Sequence, residues 1–299
     1  MKKIVASCFI LVCILTMTHP AIAELVKITD NVYSYLDVKN PDPANAFAAN
    51  AGIIIGDKGI VVVDTLISAK TARGLMEDIR KISDKPISYV VNTHYHLDHV
   101  FGNSEFEKPG TIIVAHENNR ASVEKNKEQA LKYAKDMGLT DEDLEGTRMV
   151  LPALTFSEKM SIDIGKERVE LIHPGPSHTA GSILVYLPAQ KVLFAGDILF
   201  TDFHPFMGEG DIGGWLKVLD YMLELDVEKI IPGHGPLSGK KDLRDMRDYI
   251  AAFDRHAKAI SAKSKDIKHI EAELLKVLPK RSRGQFLIPT NVQMKYMTK

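Results

Sequence analysis

The stretch Asn92-Thr93-His94-Tyr95-His96-Leu97-Asp98-His99 decides how the rest of the chain is read. Before it runs Ile87-Ser88-Tyr89-Val90-Val91, whose β-branched and aromatic residues predict a strand over 87–92. Four side chains able to bind a metal, His94, His96, Asp98 and His99, thus follow directly on a strand within six residues. In extended backbone His94 and His96 point to the same side and can reach one cation. A turn after His96 then carries Asp98 and His99 toward a second. Surface histidines on a polar strand end are the plainer reading, but a string of this spacing seldom arises without a metal to bind.

Working outward, three more segments repeat the arrangement of a strand, a turn of small residues and a ligand. His178 lies in Ser177-His178-Thr179-Ala180-Gly181, Asp197 ends a strand over 192–195 at Gly196-Asp197, and His234 sits in Pro232-Gly233-His234-Gly235. Each turn has a glycine, which lets the backbone bend sharply and approach closely. Taken singly, a Gly-Asp or Gly-His pair reads as a turn. Together with 94–99 these segments supply seven nitrogen and oxygen donors at the carboxyl ends of strands, where α/β folds put their sites. Further strands are predicted over 52–55, 60–64, 111–115, 169–173, 183–187 and 228–231. Ala72, Leu75, Met76, Ile79 and Ile82 recur at helical spacing behind a cap at Ser68, and Trp215, Val218, Leu219, Met222 and Leu223 mark a second amphipathic helix. The chain therefore reads as α/β.

The two ends differ from this middle. Lys2 and Lys3, an apolar run over 4–17 and Ala21-Ile22-Ala23 read as a signal peptide over 1–23; the apolar run falls short of the ~20 residues that span a bilayer. Cleavage removes two of 38 basic residues and none of 39 acidic ones, leaving 36 against 39, a formal charge of −3. That argues against nucleic acid as a partner. It also removes Cys8 and Cys13, the only cysteines, so the mature chain has no disulfide, thiol nucleophile or thiolate ligand. The expected product is exported, periplasmic or secreted, without a stable membrane anchor. Residues 24–239 read as one domain containing a polar helical insertion over 118–147, with Thr140 and Asp143 at capping-box spacing. Residues 240–299 read as a helical extension packed on that domain, ending in a basic tail whose Lys280-Arg281-Ser282-Arg283 run is expected to be solvated.

The string at 94–99, His178 before Thr179, the Gly196-Asp197 pair and the Gly233-His234-Gly235 turn, in that order, resemble the metallo-β-lactamase fold superfamily. Asp64, after Ile60-Val61-Val62-Val63, matches that family's early aspartate. The resemblance covers about residues 30 to 238. It implies a four-layer αββα sandwich with a dinuclear site holding two divalent cations, typically zinc, with iron or manganese also compatible with these donors. It further implies His94, His96 and His178 around the first metal, Asp98, His99 and His234 around the second, and Asp197 bridging them. An aspartate at 197 resembles the glyoxalase II, lactonase and broader hydrolase branches more than antibiotic-hydrolysing members with cysteine or serine there. Asn92-Thr93-His94-Tyr95-His96 with Phe101-Gly102-Asn103 also resembles exported hydrolases associated with sulfur oxidation or quinoprotein systems.

The expected function is a metal-dependent hydrolase in which a hydroxide shared by two cations attacks an ester, lactone, thioester or lactam carbonyl of a small-molecule substrate. Asp98 is the expected catalytic residue, orienting the water and accepting its proton. Asp64 is expected behind the ligands, fixing a histidine tautomer. His116 reads as a structural histidine or a residue behind the ligands, and His204 as a residue of the substrate pocket together with Phe203, Phe206 and Trp215. Two other classes fit less well: an iron oxygenase of the persulfide type, which needs only three protein ligands, and a metal-binding or maturation factor without turnover.

Overall fold

Two sheets meet face to face because their strands alternate apolar residues on both sides. In a computed structural model, which describes residues 24–37 and 41–297, one sheet has seven strands in chain order: β1 (Glu24–Lys27), β2 (Val32–Leu36), β3 (Ala51–Ile55), β4 (Ile60–Val63), β5 (Ile87–Val91), β6 (Ile112–His116) and β7 (Leu154–Phe156). The other runs β12 (Lys229–His234), β11 (Val192–Phe200), β10 (Leu184–Leu187), β9 (Arg168–Ile172), β8 (Lys159–Asp163). The signal peptide expected over 1–23 lies outside the described residues.

The period of two decides which core each side chain joins. Ile54, Val61, Val63 and Val91 meet Val169, Leu171, Val185 and Phe194 between the sheets. Ile53, Ile60, Val62 and Val90 face outward onto α1 (Ala69–Ile82), whose Ala72, Leu75, Met76 and Ile79 complete that core. On the far side Leu184, Tyr186, Leu193 and Ala195 meet α6 (Ile212–Glu224) and α7 (Lys240–Ser261) through Trp215, Leu219, Met246 and Phe253. Three apolar cores between four layers give the αββα sandwich. Ser68 caps α1 with a reciprocal capping box to Thr71, as its sequence predicts. Among the described residues no helix is long and apolar enough to cross a membrane.

Several local expectations need correction. β11 does not end at residue 195: it continues to Phe200, with register shifts against β12 on either side of Gly196, so Asp197 lies within the strand. β1, β2, β7 and β8 were not singled out from the sequence; β7 has three residues and β8 only one fully buried position, too little pattern to read. The insertion forms α4 (Glu117–Asn126) and α5 (Ala130–Asp136). Thr140 and Asp143 exchange the expected capping hydrogen bonds, but these close a turn and start no helix.

The extension packs through α7, α8 (Ile267–Val277) and α9 (Leu287–Val292) into the same core as β10 and β11. Its basic run is solvated only in part: Lys280 and Ser282 are exposed as expected, but the two arginines are not. The Arg281 and Arg283 side chains are 4% and 9% exposed, paired with Asp245 at 2.6 Å and Asp37 at 2.8 Å. Their guanidinium groups lie over the rings of Tyr249 and Phe203.

Candidate metal centre

The seven predicted donors come together at one edge of the sandwich. β4 and β5 run parallel, as do β11 and β12, so their carboxyl ends emerge on the same side. Asn50 ties the sheets together there, donating from its backbone N–H to the Gly233 carbonyl (2.7 Å) and from Nδ2 to those of Pro232 (2.8 Å) and Gly235 (3.0 Å).

His94, His96, His178 and Asp197 form one ligand group, and Asp98, His99 and His234 a second. In the first, His94 Nε2 and His178 Nε2 lie 3.1 and 3.0 Å from His96 Nδ1. Asp197 faces both: Oδ2 is 3.7 Å from His94 Nε2 and 3.4 Å from His178 Nε2, while Oδ1 is 3.1 Å from His99 Nε2 and 3.5 Å from His234 Nε2. Asp98 Oδ2 lies 3.6 Å from His99 Nε2 and 3.4 Å from His234 Nε2. His99 Nε2 and Asp197 Oδ1 are buried without a hydrogen-bond partner. Orphaned polar atoms in a buried cluster are costly unless a cation satisfies them, and an imidazole and carboxylate donor set fits divalent metals.

What aims the nitrogens inward is a set of acceptors behind them. His178 Nδ1 donates to the Phe206 carbonyl (3.1 Å) and His234 Nδ1 to that of Phe47 (3.2 Å). His99 Nδ1 donates to Asp64 Oδ2 (2.8 Å), and His94 Nδ1 to Thr93 Oγ1 (3.1 Å), whose own hydroxyl donates to Asp64 Oδ2 (2.7 Å). His96 is turned the other way, with Nε2 3.2 Å from Glu209 Oε2, which also accepts from the Tyr95 hydroxyl. With the distal nitrogen of each ring held as the donor, the inward nitrogen is the one whose lone pair is offered to a cation, once any second proton has left.

Asp64 is buried at φ 60°, in the left-handed region that aspartate tolerates better than most residues. Thr93 N–H adds a third hydrogen bond to it at 2.8 Å. From this position the carboxylate reaches both Thr93 and His99. Gly233 shows the crowding: a Cβ there would lie 1.9 Å from Asp197 Oδ1.

The electrostatics split the cluster. Burial holds His94 well below the usual imidazole range and His178 down at about 3, so both are neutral. Burial also opposes charge on His99 and His234, but Asp197 and Asp98 outweigh it, holding His99 well above the usual range and His234 up at about 9. For Asp197, burial is likewise outweighed, here by His234, His99 and His94, and its carboxyl stays well below the carboxylate range. Hydrogen bonding to His96 holds Glu209 down at about 2.

Not every expected site residue is here. His116 lies outside the cluster, donating from Nε2 to the Ser157 carbonyl (2.8 Å) and stacked on His173 at 3.9 Å. His204 does not line the cavity above the cluster; it is buried against Tyr249, whose hydroxyl is 2.6 Å from Nδ1. Phe203 and Phe206 do line that cavity, whereas Trp215 is buried in the core, its Nε1 donating to the Ile198 carbonyl (2.9 Å). Sequence reasoning missed Glu209, one acidic residue among 39, lying 113 positions from His96. Only its place in the Phe-rich loop already considered for the pocket pointed toward it.

The cavity over the cluster has a volume of about 850 Å³, and His96, Asp98, Asp197 and His234 lie on its floor. Its walls come from 41–47, from the insertion and from the C-terminal extension.

The model of the metallo-beta-lactamase superfamily matches residues 44–234. A metallo-beta-lactamase type 2 of Elizabethkingia meningoseptica is 24% identical over 241 residues, 79% of this chain and 88% of the relative. A linear primary-alkylsulfatase of Pseudomonas sp. (strain ATCC 19151) is 29% identical over 236 residues, 67% of this chain but 44% of that longer protein. The solved structure of the inverting sec-alkylsulfatase Pisa1 from Pseudomonas sp. superposes with a TM-score of 0.66 at 22% identity, covering 92% of this chain and 50% of that one. That likeness is one of fold, and it takes in much of the C-terminal extension.

Proposed function

From the premise that this chain belongs to the metallo-beta-lactamase superfamily and is a metallo-hydrolase of it, we propose that it hydrolyses an ester, lactone, thioester or lactam at a dinuclear centre, with zinc as the resident metal. The observation that carries this reading is the bridging posture of Asp197, one oxygen toward each group of histidines. His94, His96 and His178 would hold the first cation, and Asp98, His99 and His234 the second. Two divalent cations, when bound there, supply Lewis acidity for the substrate carbonyl and lower the pKa of a shared water from 15.7 toward ~7.

The chain's own residues do the rest. Asp98 sits on the cavity floor with Oδ2 turned to His99 and His234, and its carboxylate orients the incoming water and takes up its proton. Asp64 keeps the proton of His99 on Nδ1, and Glu209 keeps that of His96 on Nε2, so neither nitrogen facing the cluster is blocked. We further propose that residues 1–23 direct export and that the working enzyme acts outside the cytoplasm on a small molecule and not on nucleic acid.

The test is elemental analysis of zinc-supplied protein, followed by assay against lactams, lactones, aryl esters, thioesters and phosphodiesters. Two metals per chain and turnover of a carbonyl substrate are expected, with Asp98→Asn slowing it ~10²-fold. One metal per chain, or wild-type turnover by Asp98→Asn, rejects this mechanism.

A further inference from the structure

Four of the seven ligand residues, His96, Asp98, Asp197 and His234, lie on the floor of the cavity, so the walls decide what body a substrate may carry. At about 850 Å³ the cavity is near the upper end for small-molecule sites and far larger than a reacting carbonyl needs. Phe47, Tyr133, Met137, Phe206, Phe286 and Leu287 stand on its walls. They come from four separate parts of the chain: the turn Pro43–Ala48, the insertion, the loop after β11, and the C-terminal segment.

Tyr133 and Phe286 stay 59% and 53% exposed. Large aromatic groups left to water on a concave surface mark a place where an apolar ligand is to be covered. Charge points the same way. Among the described wall residues other than the metal ligands, the charged ones are Asp42 and Glu209, both acidic, and Glu209 is already engaged by Tyr95 and His96. An anionic group on the substrate body would give up its water to face like charge.

Resting on the hydrolase reading above, we propose that this cavity binds a bulky, uncharged alkyl or aryl group, so that the substrates are apolar esters or lactones and not acidic lactams. The head of such a molecule meets the floor, and its body fills the space between the insertion and the C-terminal segment. The extension is thereby part of the substrate site, its Phe286 and Leu287 lining the same cavity as Tyr133 and Met137.

Chain-length dependence tests this on the zinc-loaded protein, with 4-nitrophenyl acetate, butyrate and octanoate beside the 4-nitrophenyl monoester of the eight-carbon dicarboxylic acid. A fully buried methylene is worth about fourfold, so kcat/KM should rise at least about 50-fold from acetate to octanoate. The terminal carboxylate should lower it at least about tenfold from the octanoate value. Replacing both rim aromatics, Tyr133→Ser with Phe286→Ser, should flatten the chain-length series.

A second readout needs no turnover. The uncharged dye N-phenyl-1-naphthylamine should fluoresce on binding to metal-free and zinc-loaded protein alike, be displaced by octanol, and bind at least about tenfold more weakly to the double variant. Dye binding without hydrolysis of any ester, lactone, thioester or lactam defeats the hydrolase reading and leaves the cavity assignment standing. Ester turnover with no chain-length preference, with preference for the acidic ester, or with no dye binding overturns the cavity assignment and leaves the hydrolase reading standing.

Discussion

Replacing Asp64 by Asn changes no metal ligand, yet it should take away the second cation. The wild-type carboxylate accepts three hydrogen bonds, from Thr93 N–H at 2.8 Å, from the Thr93 hydroxyl at 2.7 Å and from His99 Nδ1 at 2.8 Å. An asparagine keeps the shape and tolerates the φ of 60°. Its Oδ1 can still accept from Thr93 N–H, but its amide now presents hydrogens to the Thr93 hydroxyl and to His99 Nδ1. His99 must then accept at Nδ1 and carry its proton on Nε2, which points at Asp197 Oδ1 3.1 Å away. That proton occupies the lone pair the cation requires.

Loss of a partner behind a ligand typically weakens metal binding 10- to 100-fold, and with the tautomer reversed we expect the upper end, about 10²-fold or ~2.7 kcal/mol. Thr93 also loses its ionised acceptor, so the first site, through His94, should weaken by about tenfold. Stability should fall by only ~1–2 kcal/mol, because the Thr93 hydroxyl alone is left without its acceptor; Asp64→Ala would strand three donors and cost ~3–5 kcal/mol, confusing folding with binding. Zinc titration against a chromogenic chelator reads both sites, and thermal unfolding of the metal-free proteins checks the fold. A second equivalent bound by Asp64→Asn as tightly as by wild type would refute the tautomer argument.

Three other outcomes follow from the geometry. In the metal-free protein His99 and His234 hold protons at pH 7, since their pKa values are raised, that of His234 to about 9; cation uptake by the second group must release up to two protons, and its affinity should climb with pH until about 9, whereas His94 and His178, already neutral, release none. Calorimetric titration in buffers of different ionisation enthalpy counts those protons, and a second equivalent releasing none at pH 7 contradicts the assignment. Burial, with Arg281 nearby, lowers His204 to about 4; its contribution to stability is complete above an unfolded pKa of ~6.5 and is lost as pH falls toward 4, so the wild-type Tm should drop more steeply over that window than that of His204→Gln, and parallel curves would contradict it. Gly233→Ala, whose Cβ would sit 1.9 Å from Asp197 Oδ1, should displace the bridging carboxylate and lower bound zinc to one equivalent or fewer while leaving the far-ultraviolet circular dichroism unchanged; two equivalents with wild-type affinity would show that the strand yields.

Spacing made the ligands legible. His94 and His96 share a face because extended backbone has a period of two, and Gly196 and Gly233 flagged the crowded approach of β11 and β12. The sandwich was legible for a similar reason, since strands such as Ile60–Val63 carry apolar residues to both faces. What escaped was whatever depends on contacts distant in sequence. Glu209 meets His96 only after the loop behind β11 folds back, and nothing local distinguishes it from other glutamates. Arg281 and Arg283 read as solvated because charge runs usually are, yet Asp245, Asp37 and two aromatic rings receive them. The extent of β11 was misjudged because Gly196 looked like a stop, whereas its φ of 49° lets the strand bend and continue.

Three of the four segments that fence the cavity, around 41–47, 126–149 and 286–290, contain none of the seven ligand residues. Chemistry and selectivity are therefore written in different stretches of this polypeptide. Insertions, deletions or wholesale exchange in the fence can redirect the enzyme to new molecules while the donor constellation and the strands beneath it stay as they are. For directed evolution the same partition shortens the search: libraries confined to those three stretches sample substrate range without spending variants on metal loss.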